Sequence, residues 1–154
     1  MKRSAAVLLI VSVSLLAAGA ASGQSGRDPR TVITARQAGF KDLGRSAKII
    51  TIALRRPSPD QAQLVTETAK IAALSNRMGS WFPKGSGSGK GVETEASAAI
   101  WSDAAKFQGQ MQQFKAAAAR AALAARASNL PALNTEWKAV ATSCKACHDN
   151  FRSN

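Results

Sequence analysis

Both cysteines of the chain and its only histidine lie within five consecutive residues near the C-terminal end, Cys144-Lys145-Ala146-Cys147-His148. Two thiols three residues apart on a helix project from one face, where each can add across a vinyl group of a porphyrin. The imidazole beside them can present a nitrogen to the iron. The sequence therefore predicts one covalently attached haem c, held through Cys144 and Cys147, with His148 as an axial iron ligand.

Three other uses of these residues fit less well. A disulfide-exchange pair of this spacing usually lies at a helix N-terminus beside a strand, whereas this pair comes late in a chain with helical patterning. A structural zinc site needs four ligands, and the chain has two cysteines and one histidine. Chance would have to gather all three residues in one short segment. The pattern thus favours haem attachment.

The first residues have the order of a secretory signal. A positive head over residues 1–3 is followed by an apolar run from Ala5 to Ala21 and then by small and polar residues. This order predicts a signal peptide over residues 1–23. A membrane anchor is the alternative, but the run is shorter than the ~20 residues that a span needs. We expect one domain over residues 24–154, exported to the periplasm without stable membrane insertion.

The chain is strongly basic, with 21 Lys and Arg against 9 Asp and Glu and a net charge of +12. The cations are scattered singly and do not form a basic block with interleaved aromatic residues, so we expect no nucleic-acid partner. A solvated helical surface accounts for most of them. The charge also favours attraction to an acidic redox partner protein or to an anionic membrane surface.

Signals for β-strands are nearly absent, and four segments carry apolar residues at helical spacing. The predicted helices run from Pro29 to about Leu54, from Ser58 towards Trp81, from Ile100 to Ala125 and from Leu130 to Phe151. The segment that begins at Ser58 has the form of a capping box. The stripes, with Phe40 facing inward on the first helix, predict one buried face on each helix. The fold class is therefore all-α, an antiparallel four-helix bundle with the covalent haem in its core.

Residues 83–91 form a Gly/Ser-rich connection between the second and third helices. Its text resembles a phosphate-binding loop only superficially, because the glycine spacing is wrong, Gly91 stands where Ser or Thr is required, and no strand precedes it. We predict a flexible connection.

The position of the attachment site constrains the second axial ligand. Only six residues follow His148, and the chain has no second histidine. The common arrangement, with a methionine ligand far downstream of the attachment site, is therefore excluded. Met78 and Met111 are the methionines that remain after removal of the signal peptide.

A C-terminal attachment site on a predicted four-helix bundle resembles the cytochrome c′ family, the class II c-type cytochromes, over essentially the whole mature chain. The similarity is best in three places, Cys144–Asp149 with Phe151 and Arg152, Ile100–Asp103 with Phe107, and Arg36-Gln37 with Phe40. The first motif is specific, the second supports it, and the third is short. The glycine-rich loop after Phe82 departs from the family pattern.

The resemblance implies the coordination state of the iron. The family position that matches Phe40 faces the distal side of the haem, where low-spin members place a methionine ligand and five-coordinate members an apolar side chain. Because Phe40 cannot coordinate iron, the resemblance implies a five-coordinate, high-spin iron in an apolar distal pocket. The alternative for Phe40 is an ordinary core aromatic residue.

The resemblance also implies roles for polar and aromatic side chains around the haem. Arg36 and Gln37 match positions near the haem propionates, with a solvent-facing polar pair as the alternative. Arg152 follows His148 by one turn and is expected beside its imidazole, unless it is only a C-terminal cation favoured by the helix dipole. Trp81 and Phe82 are expected along the haem edge.

Two functions follow as expectations. The first is binding of nitric oxide, and also carbon monoxide, because an apolar distal side offers bound dioxygen no hydrogen-bond donor. The second is electron transfer with a periplasmic redox partner protein. We do not expect an enzyme, since a peroxidase needs distal acid–base groups and only Arg36 and Gln37 are at hand. Members of the family often form dimers through their first two helices, and the faces around Ile49 and Ile52 could provide a homodimer contact here.

Overall fold

Four long helices account for most of residues 28–153, which are the residues that the computed structural model describes. The α-helices are α1 (Pro29–Ala53), α2 (Gln61–Arg77), the short α3 (Ala99–Ser102), α4 (Ala104–Arg126) and α5 (Leu130–Phe151), and a 3₁₀ helix (Met78–Trp81) extends α2. Helix α1 packs on α2, α2 on α4 and α4 on α5. The predicted all-α, antiparallel four-helix bundle is therefore confirmed.

The predicted signal peptide, residues 1–23, lies outside the described residues. Across residues 28–153, no helix has the combination of length and apolar character that crossing a membrane requires.

Side-chain caps set where the long helices begin. The carboxylate of Asp28 accepts from the amide of Arg30 at 3.1 Å, and Asn129 caps α5 through the amide of Ala132 at 3.0 Å. The prediction that a capping box opens the second helix at Ser58 is wrong. Asp60 caps α2 instead, accepting from the amide of Gln63 at 3.1 Å. Helical backbone is unfavourable for the residue before a proline, and Ser58 precedes Pro59, so Ser58 stays outside the helix.

The third predicted helix is interrupted, which corrects the continuous helix expected from Ile100 to Ala125. Asp103 leaves helical geometry with φ −119° and ψ 56°, and its side chain accepts from the amide of Lys106 at 3.3 Å. An aspartate bonds a nearby backbone amide more readily than it continues a helix interior. The result is a short α3, then a capped start for α4.

The alanine-rich part of α4 lies at the centre of the bundle. Its buried residues are Ala117, Ala118, Ala121, Ala122, Ala124 and Ala125. Small side chains there let α4 lie against both α2 and α5. Larger apolar side chains from the neighbouring helices, Leu64, Ile71, Leu133 and Val140 among them, complete the core. The bundle thereby supports α5, which carries the attachment segment.

Candidate haem-binding site

The thiols of Cys144 and Cys147 are free, half-buried and packed against the hydrophobic core. Burial raises the pKa of both thiols, and the neighbouring Cys147 raises that of Cys144 further. Disulfide-exchange sites use the opposite effect, a lowered thiol pKa. The pair therefore suits covalent attachment better than redox exchange.

His148 follows these thiols on the exposed side of α5. It lines an open hollow of about 430 Å³ together with Glu95, Asp149, Arg152 and Ser153. Arg152, which was predicted to lie beside the imidazole, lines the same hollow.

The C-terminal end of α5 is bonded to the loop that precedes α3. Arg152 Nη2 and Glu95 Oε2 form an ion pair at 2.6 Å, and the amide of Ser153 donates to Glu95 O at 2.8 Å. The pairing lowers the pKa of Glu95 and raises that of Arg152. Glu95 was not among the predicted site residues, since nothing in its local sequence indicates a partner 57 residues away.

Arg36 lies inside the protein, where it binds the loop that joins the 3₁₀ helix to α3. Its side chain is 2 % exposed. Nη1 donates to Trp81 O at 3.3 Å and to Ser86 Oγ at 3.2 Å, and Nη2 donates to Ser86 O at 3.0 Å and to Thr94 Oγ1 at 2.9 Å. The guanidinium also stacks 4.8 Å from the ring centre of Phe82. The alternative that Arg36 faces solvent is therefore wrong.

The charge of this buried guanidinium has no anionic partner among residues 28–153. All four of its hydrogen bonds go to neutral oxygen atoms, and Nε makes none within the same residues. Burial lowers the pKa of Arg36, yet an arginine side chain stays charged in proteins. A buried cation without a counter-ion is costly, so this position favours a bound anion nearby.

Gln37 and Arg30 also anchor the same loop to α1. Gln37 Nε2 donates to Glu93 O at 2.7 Å, and Arg30 Nε donates to Lys90 O at 3.3 Å. The connection has no regular secondary structure, and these hydrogen bonds tie it to α1.

Five aromatic rings form a continuous row from α1 to α5. The ring of Phe40 meets Trp81 at 5.3 Å and Phe82 at 6.1 Å, Phe82 meets Phe107 at 5.0 Å, and Phe107 meets Phe151 at 5.1 Å, all edge to face. Edge-to-face contacts are the favoured arrangement of aromatic pairs. Phe40, which was expected to face inward, is 37 % exposed among residues 28–153.

Helices α1 and α5 are well separated, since no Cα atoms of the two helices lie within 8 Å of each other. They meet only through side chains that reach across this separation. Trp137 Nε1 donates to Thr51 Oγ1 at 3.1 Å, the one side-chain hydrogen bond between these helices within residues 28–153. From that crossing, three turns back along α1 lead about 16 Å to Phe40, on the side that carries Thr51. Two turns forward along α5 lead about 10 Å to Cys144, and three turns lead about 16 Å to His148. Since the helices are antiparallel, Phe40 lies on α1 at the level of the attachment segment on α5.

These observations test whether the residues fit a haem. Two thiols and a histidine lie together on α5, and the apolar Phe40 lies at the same level on α1. No Cα atoms of α1 and α5 approach within 8 Å of each other. A haem also brings two propionates, and the unpaired guanidinium of Arg36 is a matching cation. The side chains present therefore fit the group.

Comparison with known proteins gives the same result. The family profile described as Cytochrome C′ matches residues 31–152. The cytochrome c′ of Rhodopseudomonas palustris is 32 % identical over 148 residues, covering 96 % of this chain and 95 % of the relative.

Solved structures agree. A cytochrome c′ described as having an unusual ligand-controlled dimer dissociation matches with a TM-score of 0.78 at 26 % identity, covering 84 % of this chain and 99 % of the other. A nitric oxide complex of a mutant cytochrome c prime from Alcaligenes xylosoxidans matches with a TM-score of 0.74 at 29 % identity, covering 82 % and 98 %. Haem c is the cofactor of these proteins, and Cys144 and Cys147 are its attachment points here. The chain belongs to the cytochrome c′ family.

Proposed function

We propose that this protein is a periplasmic cytochrome c′ whose iron has His148 as its only protein ligand and binds nitric oxide reversibly on the side of Phe40. The observation that carries the proposal is the level of Phe40 on α1, which matches the level of the attachment segment on the antiparallel α5, and Phe40 has no atom that can coordinate iron. When bound, the haem supplies a ferrous iron with affinity for small diatomic gases.

The polar side chains near Phe40 support selectivity for nitric oxide and carbon monoxide. Bound dioxygen is stabilised by a hydrogen-bond donor. The terminal nitrogens of Arg36 already donate to the loop, and Gln37 Nε2 donates to Glu93 O. In this proposal the remaining Nε–H of Arg36 pairs with a propionate, so the guanidinium has no N–H left for a ligand, and Gln37 Nε2 is held at the loop. Neither side chain is an acid–base group of the kind that a peroxidase requires.

Other predicted pocket residues act by holding the haem. In this proposal, Arg36 also pairs with a propionate through Nε, Arg152 lies beside the imidazole of His148, and Trp81 and Phe82 pack along the haem edge. The resemblance of the chain to a relative solved as a nitric oxide complex supports the assignment.

Spectral titration of the ferrous protein with nitric oxide tests this function. We expect a saturable change in the visible and EPR spectra of the parent protein. Phe40→Met should convert the iron to a six-coordinate, low-spin state and block the ligand side. Phe114→Met is the matched control, because it places a methionine in the buried part of α4. A parent spectrum that does not respond to nitric oxide would overturn the proposal.

A second candidate function is electron transfer with an acidic partner protein. It is motivated by cations along the exposed side of α1 and the turn after it, Lys41, Lys48, Arg55 and Arg56, that have no ion pair within residues 28–153. Electrostatic steering predicts that reduction by an acidic periplasmic donor becomes slower as ionic strength rises. A rate that does not depend on salt would contradict this role.

We also propose a homodimer formed through α1 and α2. Ile52 is 45 % exposed on α1, and Ile49 lines a hollow of about 400 Å³ between the two helices. Sedimentation velocity should detect dimers of the parent protein and monomers of Ile52→Lys. Leu123→Lys, at a 60 % exposed position on α4, should leave the dimer intact. A parent protein that sediments as a monomer would refute the dimer.

A further inference from the structure

The indole of Trp81 lies directly against the backbone of α1 at Gly39. A Cβ atom built on Gly39 would be 2.5 Å from Trp81 Cη2 and 2.6 Å from Cζ2. Carbon atoms in ordinary contact are about 3.5–4.0 Å apart, so any larger residue would force the ring outward. Glycine is a poor helix former, and the close approach of this ring accounts for its presence in the middle of α1.

Two other contacts also hold Trp81, one to its backbone and one to its ring. The carbonyl oxygen of Trp81 accepts from Arg36 Nη1 at 3.3 Å. Its indole meets the edge of the Phe40 ring at 5.3 Å. Arg36, Gly39 and Phe40 therefore present one surface of α1 on which Trp81 rests, and Trp81 and Phe40 together form a continuous aromatic wall.

We infer that Gly39 is a positioning residue of the gas-binding site and that it acts through Trp81. By allowing the indole to lie flush on α1, Gly39 sets the width of the space beside Phe40 that an entering diatomic ligand must use. This inference rests on the proposed function, in which Phe40 borders the ligand side of the iron.

The test is the rate of carbon monoxide binding to the ferrous holoprotein after flash photolysis. Trp81→Ala removes one half of the wall, and we expect binding about tenfold faster, which corresponds to about 1.4 kcal/mol of activation free energy. Gly39→Ala should also accelerate binding, because it pushes the indole away from α1. The acceleration caused by Gly39→Ala should disappear in the Trp81→Ala background, where no ring remains to be displaced.

Gly44→Ala is the matched control. Gly44 lies on the same helix, and a Cβ built there meets no atom within 4 Å. This variant should bind carbon monoxide at the parent rate. Urea unfolding provides a second readout. Gly39→Ala should lower the urea midpoint of the parent protein, whereas adding Gly39→Ala to the Trp81→Ala variant should not lower the midpoint further.

The possible outcomes distinguish a failure of the proposed gas binding from a failure of the role given to Gly39. A parent protein that does not bind carbon monoxide or nitric oxide contradicts the proposed function, and the unfolding data then still decide whether Gly39 and Trp81 are coupled. A parent that binds gas overturns the inference if Gly39→Ala binds at the parent rate. The inference is also overturned if Gly39→Ala has the same effect with and without Trp81.

Discussion

Replacement of Arg36 by methionine would remove the buried guanidinium that holds the loop to α1 and keep a side chain of similar length. Four hydrogen bonds of 2.9 to 3.3 Å are lost, together with the contact to the Phe82 ring. Ser86, which is 1 % exposed, would then have both its carbonyl and its hydroxyl oxygen without their Arg36 donors.

The structure sets the size of this effect. Three of the acceptors, Trp81 O, Ser86 Oγ and Ser86 O, are buried with the guanidinium, and each costs about 1 kcal/mol or more when its donor is removed. The variant also avoids the cost of taking a guanidinium out of water, which offsets part of that loss. We therefore expect Arg36→Met to lower the free energy of unfolding by about 2–4 kcal/mol.

Urea unfolding followed by far-UV circular dichroism measures this change. Arg36→Lys should lose nearly as much, because a single ammonium cannot reproduce the fork that reaches Ser86 and Thr94 together. Arg30→Met is the control, since Arg30 makes one exposed hydrogen bond to the loop and its loss should cost less than about 0.5 kcal/mol. A loss below about 1 kcal/mol for Arg36→Met would refute the view that this residue anchors the loop.

Two further predictions concern the bundle itself. Glu67 accepts from Lys70 and Ser46, and these bonds lower its pKa, so its contribution to stability is present above the ordinary glutamate pKa of about 4.3 and is lost as pH falls through the lowered value. Glu67→Gln should therefore unfold at a lower urea concentration than the parent at pH 7, with a deficit that shrinks towards pH 3, whereas an equal deficit at both pH values would contradict the assignment. Leu133→Ala, at a fully buried position of α5, should cost about 2–5 kcal/mol in urea unfolding, and Leu123→Ala, at an exposed one, less than about 0.5 kcal/mol; equal costs would contradict the packing described.

The attachment segment could be predicted from the sequence because covalent haem chemistry fixes the spacing of Cys144, Cys147 and His148. The four helices could also be predicted, since each buries a regular apolar stripe. Helix boundaries were less accurate. At Ser58 and Asp103 the outcome depends on which side chain bonds which backbone amide, and periodicity does not report that choice.

The surroundings of the site were harder to predict, because their contacts join distant parts of the chain. Arg36 was expected near the propionates, but its partners Ser86 and Thr94 lie 50 and 58 residues further along. The pairing of Glu95 with Arg152 and the contact between Gly39 and Trp81 are similar cases. The contacts of Ser86, Thr94 and Glu95 depend on how the loop before α3 folds back onto the bundle, and the loop sequence departs from the family pattern there. The contact of Gly39 depends on how the 3₁₀ helix lies against α1.

The EPR spectrum of the ferric holoprotein at neutral pH reports how the iron is coordinated. With His148 as the only protein ligand and Phe40 on the opposite side, the spectrum should be that of a high-spin, five-coordinate haem. A low-spin, six-coordinate spectrum would show that a second side chain binds the iron and would contradict the role given to Phe40.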